Sequence, residues 1–240
     1  MTLIESNPSK LRHRRSRRKN PLMTVFPLGS AAALSLILFA GLGFGYRNWR
    51  SLVIPHWTAD SPPLALEGGD PHIRALMRTI SASEANYSKP YSVIYGGRRF
   101  QDLSNHPDQC VPIQAGPNIG DCTTAAGRYQ FITTTWLEKA QIYHPVPSKW
   151  LFWETYSFEP QYQDAVIYRW LSDPQAWNAD LSGLLKEGEI EYVLWLLSDT
   201  WTSLGYGIET NFITDSLPEI YETVLQEELD DASDADLHSP

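Results

Sequence analysis

Residues 71–84 read PHIRALMRTISASE. Pro71 suits the first position of a helix, where its missing N–H costs nothing. Ile73, Leu76, Met77 and Ile80 follow at i, i+3, i+4 and i+7, the spacing of one helical face. Continuing that stripe leads to Glu84, eleven residues past Ile73 and almost in the same direction at 3.6 residues per turn. The spacing predicts a helix that aims a carboxyl along its buried face, at its C-terminal end. A carboxylate there loses hydration and sits at the negative end of the helix dipole, and both effects favour its protonated form. An acid that keeps its proton is what protonation of a glycosidic oxygen requires. The competing reading is a helix frayed by Ser83, with Glu84 pointing to water.

Downstream, residues 86–90 break the helix. Tyr91-Ser92-Val93-Ile94-Tyr95 has strand composition, Gly96-Gly97 is a two-residue turn signal, and Arg98-Arg99-Phe100 returns. Helix then hairpin predicts an α+β arrangement, with a small sheet beside a helical body and Glu84 at the edge of a cleft between them. Cys110 and Cys122 flank a loop rich in Pro and Gly. Outside the cytoplasm they are free to pair, which would stabilise by roughly 3 kcal/mol through loop entropy. Neither thiol has a histidine partner nearby for catalysis. Then comes Ala126-Gly127-Arg128-Tyr129-Gln130-Phe131, leading into Trp136, Leu137 and Ala140 at helical spacing. Tyr129 and Gln130 offer a ring and an amide, groups suited to a sugar ring and an N-acetyl group. The alternative for both is a helix start packed on the core.

Five strings in order resemble the lambda-type phage lysozymes, a lysozyme-like glycoside hydrolase family. They are Ser83-Glu84 and Tyr91-x-Val93-Ile94-x-Gly96-Gly97-x-x-Phe100-x-Asp102-x-Ser104-x-His106-Pro107; Ala126-Gly127-Arg128-Tyr129-Gln130; Phe158-x-Pro160-x-x-Gln163-Asp164-Ala165-Val166; and Trp201-x-Ser203-Leu204-Gly205-Tyr206-Gly207. The resemblance implies a mostly helical, lysozyme-like α+β domain with a small β-hairpin lobe and a saccharide cleft. It also implies cleavage of the β-1,4 bond between N-acetylmuramic acid and N-acetylglucosamine in peptidoglycan, by lytic transglycosylation that leaves a 1,6-anhydromuramic end. The family's essential glutamate maps onto Glu84. Ser83, Asp102, Tyr129, Gln130, Trp201 and Tyr206 are then expected to bind substrate. For Asp102 a turn hydrogen bond to Ser104 competes, and for Trp201 core packing does. Asp164 is expected to anchor another element. Phe158, Val166, Trp170, Trp195 and Leu196 are expected in the core, and His106 in a structural turn.

The chain ends differ from that middle. Residues 1–50 hold nine Lys or Arg against Glu5 alone, a net of +8; the remaining ten basic and 27 acidic residues give −17. From Pro21 to Tyr46 there is no charged residue, and seven of the basic residues lie between Lys10 and Lys19. About 20 apolar residues cross a bilayer as a helix, and basic residues stay on the cytoplasmic side. The reading is a basic cytoplasmic tail (1–20), one transmembrane helix (21–46), a Pro/Gly-containing linker (47–70), a catalytic domain (71–222) and an acidic disordered tail (223–240). A cleaved signal peptide is the alternative for the apolar run. Either way the domain lies outside the cytoplasm, at the inner membrane on the anchor reading.

A net charge of −9 argues against nucleic acid as a partner. No zinc-ligand spacing occurs, and no metal or cofactor is expected. The expected function is a membrane-anchored lytic transglycosylase with Glu84 as acid and then base. A hydrolysing muramidase on the same fold, or a wall-binding module without chemistry, are the alternatives. The stretches between Asp108 and Thr123 and between His144 and Tyr156 are longer than the family pattern leads one to expect, and the anchor favours wall remodelling over phage lysis.

Overall fold

The computed structural model describes residues 61–114, 116, 118–150, 153–206 and 212–237. All lie in one unit, Ile54–Pro240; a separate unit, Met1–Val53, falls outside the described residues. The expected basic tail and membrane span therefore also lie outside them. Among the described residues, no helix is long and apolar enough to cross a membrane.

Helix α1 (Pro71–Glu84) begins where Asp70 accepts a hydrogen bond from the His72 amide at 2.8 Å. The predicted stripe of Ile73, Leu76, Met77 and Ile80 is buried. So are Ala75, Arg78, Thr79, Ser81 and Ala82. The helix is thus enclosed on nearly all sides rather than lying with one face on a core, and its small residues permit that close packing. Around it pack α3 (Pro160–Leu171), α5 (Leu181–Lys186), the 3₁₀ turn Thr202–Leu204 and, most extensively, α7 (Leu217–Leu237).

Residues 223–237, expected to belong to a disordered tail, are helical in α7, and 238–240 lie outside the described residues. Val224 is buried, and Glu228 is 2% exposed. The Glu228 carboxylate takes Arg74 Nε at 2.5 Å and Arg78 Nη1 at 3.1 Å, while Glu227 takes Arg78 Nη2 at 2.6 Å. The two arginines are one turn apart on α1, and their charge, buried beside the acidic run, orders it as helix.

Residues 61–70, expected to be linker, are strapped onto the domain. Arg78 Nη2 donates to Ser61 O at 2.8 Å, and Arg128 donates to Pro62 O and Pro63 O at 2.6 and 2.9 Å. The Ala65 and Leu66 amides donate to the buried Asp164 carboxylate at 2.7 and 3.1 Å. Buried charges must be paired, and the strap's backbone supplies the partners.

The expected hairpin over 91–100 is also revised. Pro90–Ser92 and Tyr95–Gly97 are 3₁₀ turns, and the pairing is reduced to bridges at Val93–Arg99 and Ile94–Ala126. The reversal is as expected, with Gly96 and Gly97 at φ 77° and 83°. No ladder extends because neighbouring backbone groups serve different partners. Ile94 N donates to Arg98 O at 2.8 Å, whereas Tyr95 N donates to Ala125 O at 2.9 Å. Among the described residues, the regular sheets, each of two antiparallel strands, lie in the two long insertions. They are β1 (Val111–Pro112) with β2 (Cys122–Thr123), and β3 (Ser148–Trp150) with β4 (Trp153–Thr155). Cys110 and Cys122 are joined by a disulfide beside the first, with Cα atoms 5.4 Å apart.

The remaining α-helices among the described residues are α2 (Thr133–Tyr143), the short α4 (Pro174–Trp177) and α6 (Ile190–Leu197). The core joins α1 to an aromatic cluster: Trp136 meets Phe158 edge-on at 4.6 Å, and Trp170 lies 5.5 Å from Trp201. Trp195, expected inside, is 52% exposed and stacks on Tyr192, because Ile190, Val193, Leu194 and Leu197 take the inner face of α6. Beyond α6 the chain passes through the Thr202–Leu204 turn to the foot of α1.

Candidate active site

Glu84 is the last residue of α1 and is half-buried. The helix stops there because Ala85 leaves helical geometry (φ −143°, ψ 63°), its amide making the last helical hydrogen bond, to Ser81 O at 2.8 Å. The carboxyl is not frayed into water: Ser203 Oγ donates to Glu84 Oε1 at 2.5 Å. Ser83 joins the same contact, its hydroxyl donating to Ser203 Oγ at 2.7 Å and lying 3.1 Å from Ser203 O.

Ser203 is presented by the turn Thr202–Leu204. Trp201 and Leu204 on either side are buried. Trp201 Nε1 donates to Tyr129 O at 3.0 Å, and Thr214 Oγ1 donates to Ser203 O at 3.0 Å. Gly205 then turns the chain at φ 103°, where a Cβ would sit 2.5 Å from the Thr214 methyl. Ser203 falls within the family-like run 201–207, and the sequence gives it no role in the site. A hydroxyl has no periodicity to betray it, and its partner is 119 residues away.

Two of the expected sugar contacts are closed to a ligand. The Tyr129 side chain has no exposed surface; its hydroxyl donates to Asp164 Oδ1 at 2.6 Å. Burial, with the charge of Asp164 second, raises its hydroxyl pKa well above the usual value. Trp201 is 4% exposed and packs on Trp170 and Trp177. Both are core residues because the apolar ring gains more from desolvation than a cleft wall offers, once the polar atom has an internal partner.

Gln130 stays at the surface of this packing, half-buried, with Nε2 donating to Gly127 O at 2.9 Å and to Val93 O at 3.3 Å. Its φ is +46°, a left-handed conformation that costs a non-glycine residue about 1 kcal/mol or more. The tight turn before it requires glycine: a Cβ on Gly127 would lie 2.3 Å from Gln163 Oε1. Gln163 in turn holds the Arg128 amide at 2.9 Å and donates to Phe158 O and Tyr91 O at 2.7 and 3.0 Å.

Asp164 anchors more than one element, as expected in kind but not in extent. Besides the strap amides and Tyr129, it accepts from the Tyr91 hydroxyl at 2.7 Å. Burial pushes the Tyr91 hydroxyl pKa up, and the Asp164 charge adds to it. Arg128, also fully buried, resists loss of its charge. Burial opposes that charge, but Tyr129, Tyr91 and Asp164 outweigh it.

Asp102 is exposed, and its Oδ1 accepts from the Ser104 amide at 2.9 Å. Hydrogen bonds from Ser104 lower its pKa. This is the turn role weighed against substrate contact. Tyr206, 49% exposed, is the accessible one of the three aromatic candidates; burial and then the Glu191 charge raise its hydroxyl pKa. His106 is structural: it is buried, with Nε2 2.8 Å from Phe131 O. A cavity of about 630 Å³ opens beside the disulfide, lined by Asp108, Cys122, Thr123, Thr124, Ile132 and Thr133 among others, and Glu84 is not in its wall. Among the described residues, no cluster of His, Cys, Asp or Glu could hold a metal ion.

A family model described as Endolysin matches residues 74–225. The endolysin of Escherichia phage lambda is 30% identical over 127 residues, covering 49% of this chain and 64% of its own length. The match thus spans just under two thirds of that relative. A structure of bacteriophage lambda lysozyme complexed with a chitohexasaccharide is 25% identical, with a TM-score of 0.47 over 66% of this chain and 96% of the other. A second, lysozyme from bacteriophage lambda, is 19% identical, with a TM-score of 0.44 over 68% and 97%.

Proposed function

The chain belongs to the Endolysin family, and from that premise we propose that it is a glycosidase of peptidoglycan, with Glu84 as its acid and base. The observation that carries this reading is the Glu84 carboxyl itself, fixed at the end of a buried helix by a hydroxyl from a distant turn. A carboxyl held in one orientation beside a half-dry surface suits proton transfer to a bound oxygen.

The finer reading is lytic transglycosylation at the bond between N-acetylmuramic acid and N-acetylglucosamine. Glu84 gives its proton to the glycosidic oxygen as the C1–O bond breaks, and the substrate's acetamido group stabilises the cationic carbon. Glu84 then takes the proton of the muramyl 6-hydroxyl as O6 bonds to C1, so the acid is restored and no water is consumed. One carboxylate suffices. The two-carboxylate routes need a second acid about 5–9.5 Å away. Ser83, Asp102, Gln130 and Tyr206 are the expected contacts that remain at least partly exposed.

We further propose that the uncharged run 21–46, behind seven basic residues, anchors the protein in the cytoplasmic membrane with the domain outside. Tethering would raise the local concentration of the domain at the wall, which suits one whose own charge is acidic.

Product analysis on purified sacculi tests the chemistry. The transglycosylase reading predicts anhydromuramic ends and no incorporation of ¹⁸O from labelled water. Reducing ends that carry one ¹⁸O would assign hydrolysis, and unchanged sacculi would leave a binding module.

A further inference from the structure

We propose that Ser203 is the positioning residue for Glu84, the terminus of a two-hydroxyl chain that starts at Ser83. The inference rests on the reading of Glu84 as the acid and adds to it what holds that acid in place. A glutamate has three rotatable bonds, and a misplacement of about 1 Å at a reacting group can cost a factor of about 100 in rate. Something other than the helix end must therefore fix the carboxyl.

The geometry supplies it. A serine hydroxyl carries one proton. Ser83 donates to Ser203 Oγ at 2.7 Å, which directs the single Ser203 proton onto Glu84 Oε1 at 2.5 Å. The chain ends on a named oxygen. Oε1 can keep this donor whether Glu84 is protonated or ionised, so the contact need not break between the two proton transfers.

The support behind Ser203 is independent of Glu84. Its turn is pinned by the buried Trp201 and Leu204, by the Thr214 hydroxyl on its carbonyl and by a glycine at 205 that no larger residue replaces without meeting Thr214. The hydroxyl is thus set by the core before any substrate arrives. A donor held rigidly in this way costs no reorganisation during the reaction.

The test uses the full chain on short purified glycan strands of peptidoglycan. Ser203→Ala is expected to lower kcat about tenfold or more while KM stays within about twofold, since a hydrogen bond to a charged group is lost but no substrate contact is. Ser203→Thr, which keeps the hydroxyl, is expected to restore kcat to within about threefold. Ser83→Ala, which leaves the turn intact, is expected to lower kcat about threefold at unchanged KM. In a Glu84→Gln background, Ser203→Ala should cause no further loss. Wild-type kcat in Ser203→Ala or Ser83→Ala, or equal impairment of Ser203→Ala and Ser203→Thr, overturns the proposal while Glu84 stands. Full activity in Glu84→Gln overturns the reading of Glu84 and this inference with it.

Discussion

Tyr129 shows what a residue type can and cannot reveal. Its ring and hydroxyl suited a sugar, yet the hydroxyl is spent on Asp164 in the core and no surface remains. Sequence carries chemistry but not direction: Tyr129 and Gln130 are neighbours in one string, and only the second stays at the surface. Glu84 was legible because an eleven-residue spacing along an apolar stripe fixes direction as well as type. Tyr129→Phe is accordingly expected to cost roughly 1.5–3 kcal/mol of stability, by removing a donor from a buried carboxylate. Its KM per folded molecule should not change. Denaturant unfolding and glycan-strand kinetics measure the two quantities. A raised KM with unaltered stability would return Tyr129 to the cleft.

At the scale of elements, periodicity located α1 but understated its burial. The stripe marks one face, while Ala75, Thr79, Ser81 and Ala82 are small enough to be enclosed on the others. The strap and α7 escaped a reading by composition, since prolines and acids in isolation read as linker and tail. What orders them is long-range pairing: Arg74 and Arg78 on α1 reach Glu228 across some 150 residues. Two guanidiniums around one carboxylate form a unit in which each member's loss strands a charge. Glu228→Ala is therefore expected to destabilise by roughly 3–5 kcal/mol, with loss of helicity in α7. Urea titration followed by circular dichroism measures both. A change below about 1 kcal/mol would mean that the pair is as incidental as an exposed one. The 91–100 hairpin was legible as a reversal and not as a sheet, because turn glycines are local signals while backbone partners such as Ala125 and Ala126 are not.

The whole molecule responds to acid through its buried imidazoles. Burial lowers the pKa of His106 below the ordinary 6.5, and His144 follows for the same first reason. Above pH 6.5 neither the folded nor the unfolded state binds the proton, so these groups leave stability unchanged. Below it the unfolded chain takes up protons that the fold resists, and stability falls until the folded pKa is passed. A melting temperature that holds from pH 8 to 7 and declines toward pH 5, with a shallower decline in His106→Gln, is the expected outcome. A flat profile would contradict the burial argument. At this scale the sequence joins a basic stretch and an uncharged run to an acidic domain, and the proposed chemistry rests on one carboxyl. The most direct measurement compares release of soluble fragments from purified sacculi by the wild type and by Glu84→Gln, both shown to be folded by their thermal unfolding. The account predicts a loss of at least about 100-fold for the variant; cleavage at the wild-type rate would contradict it.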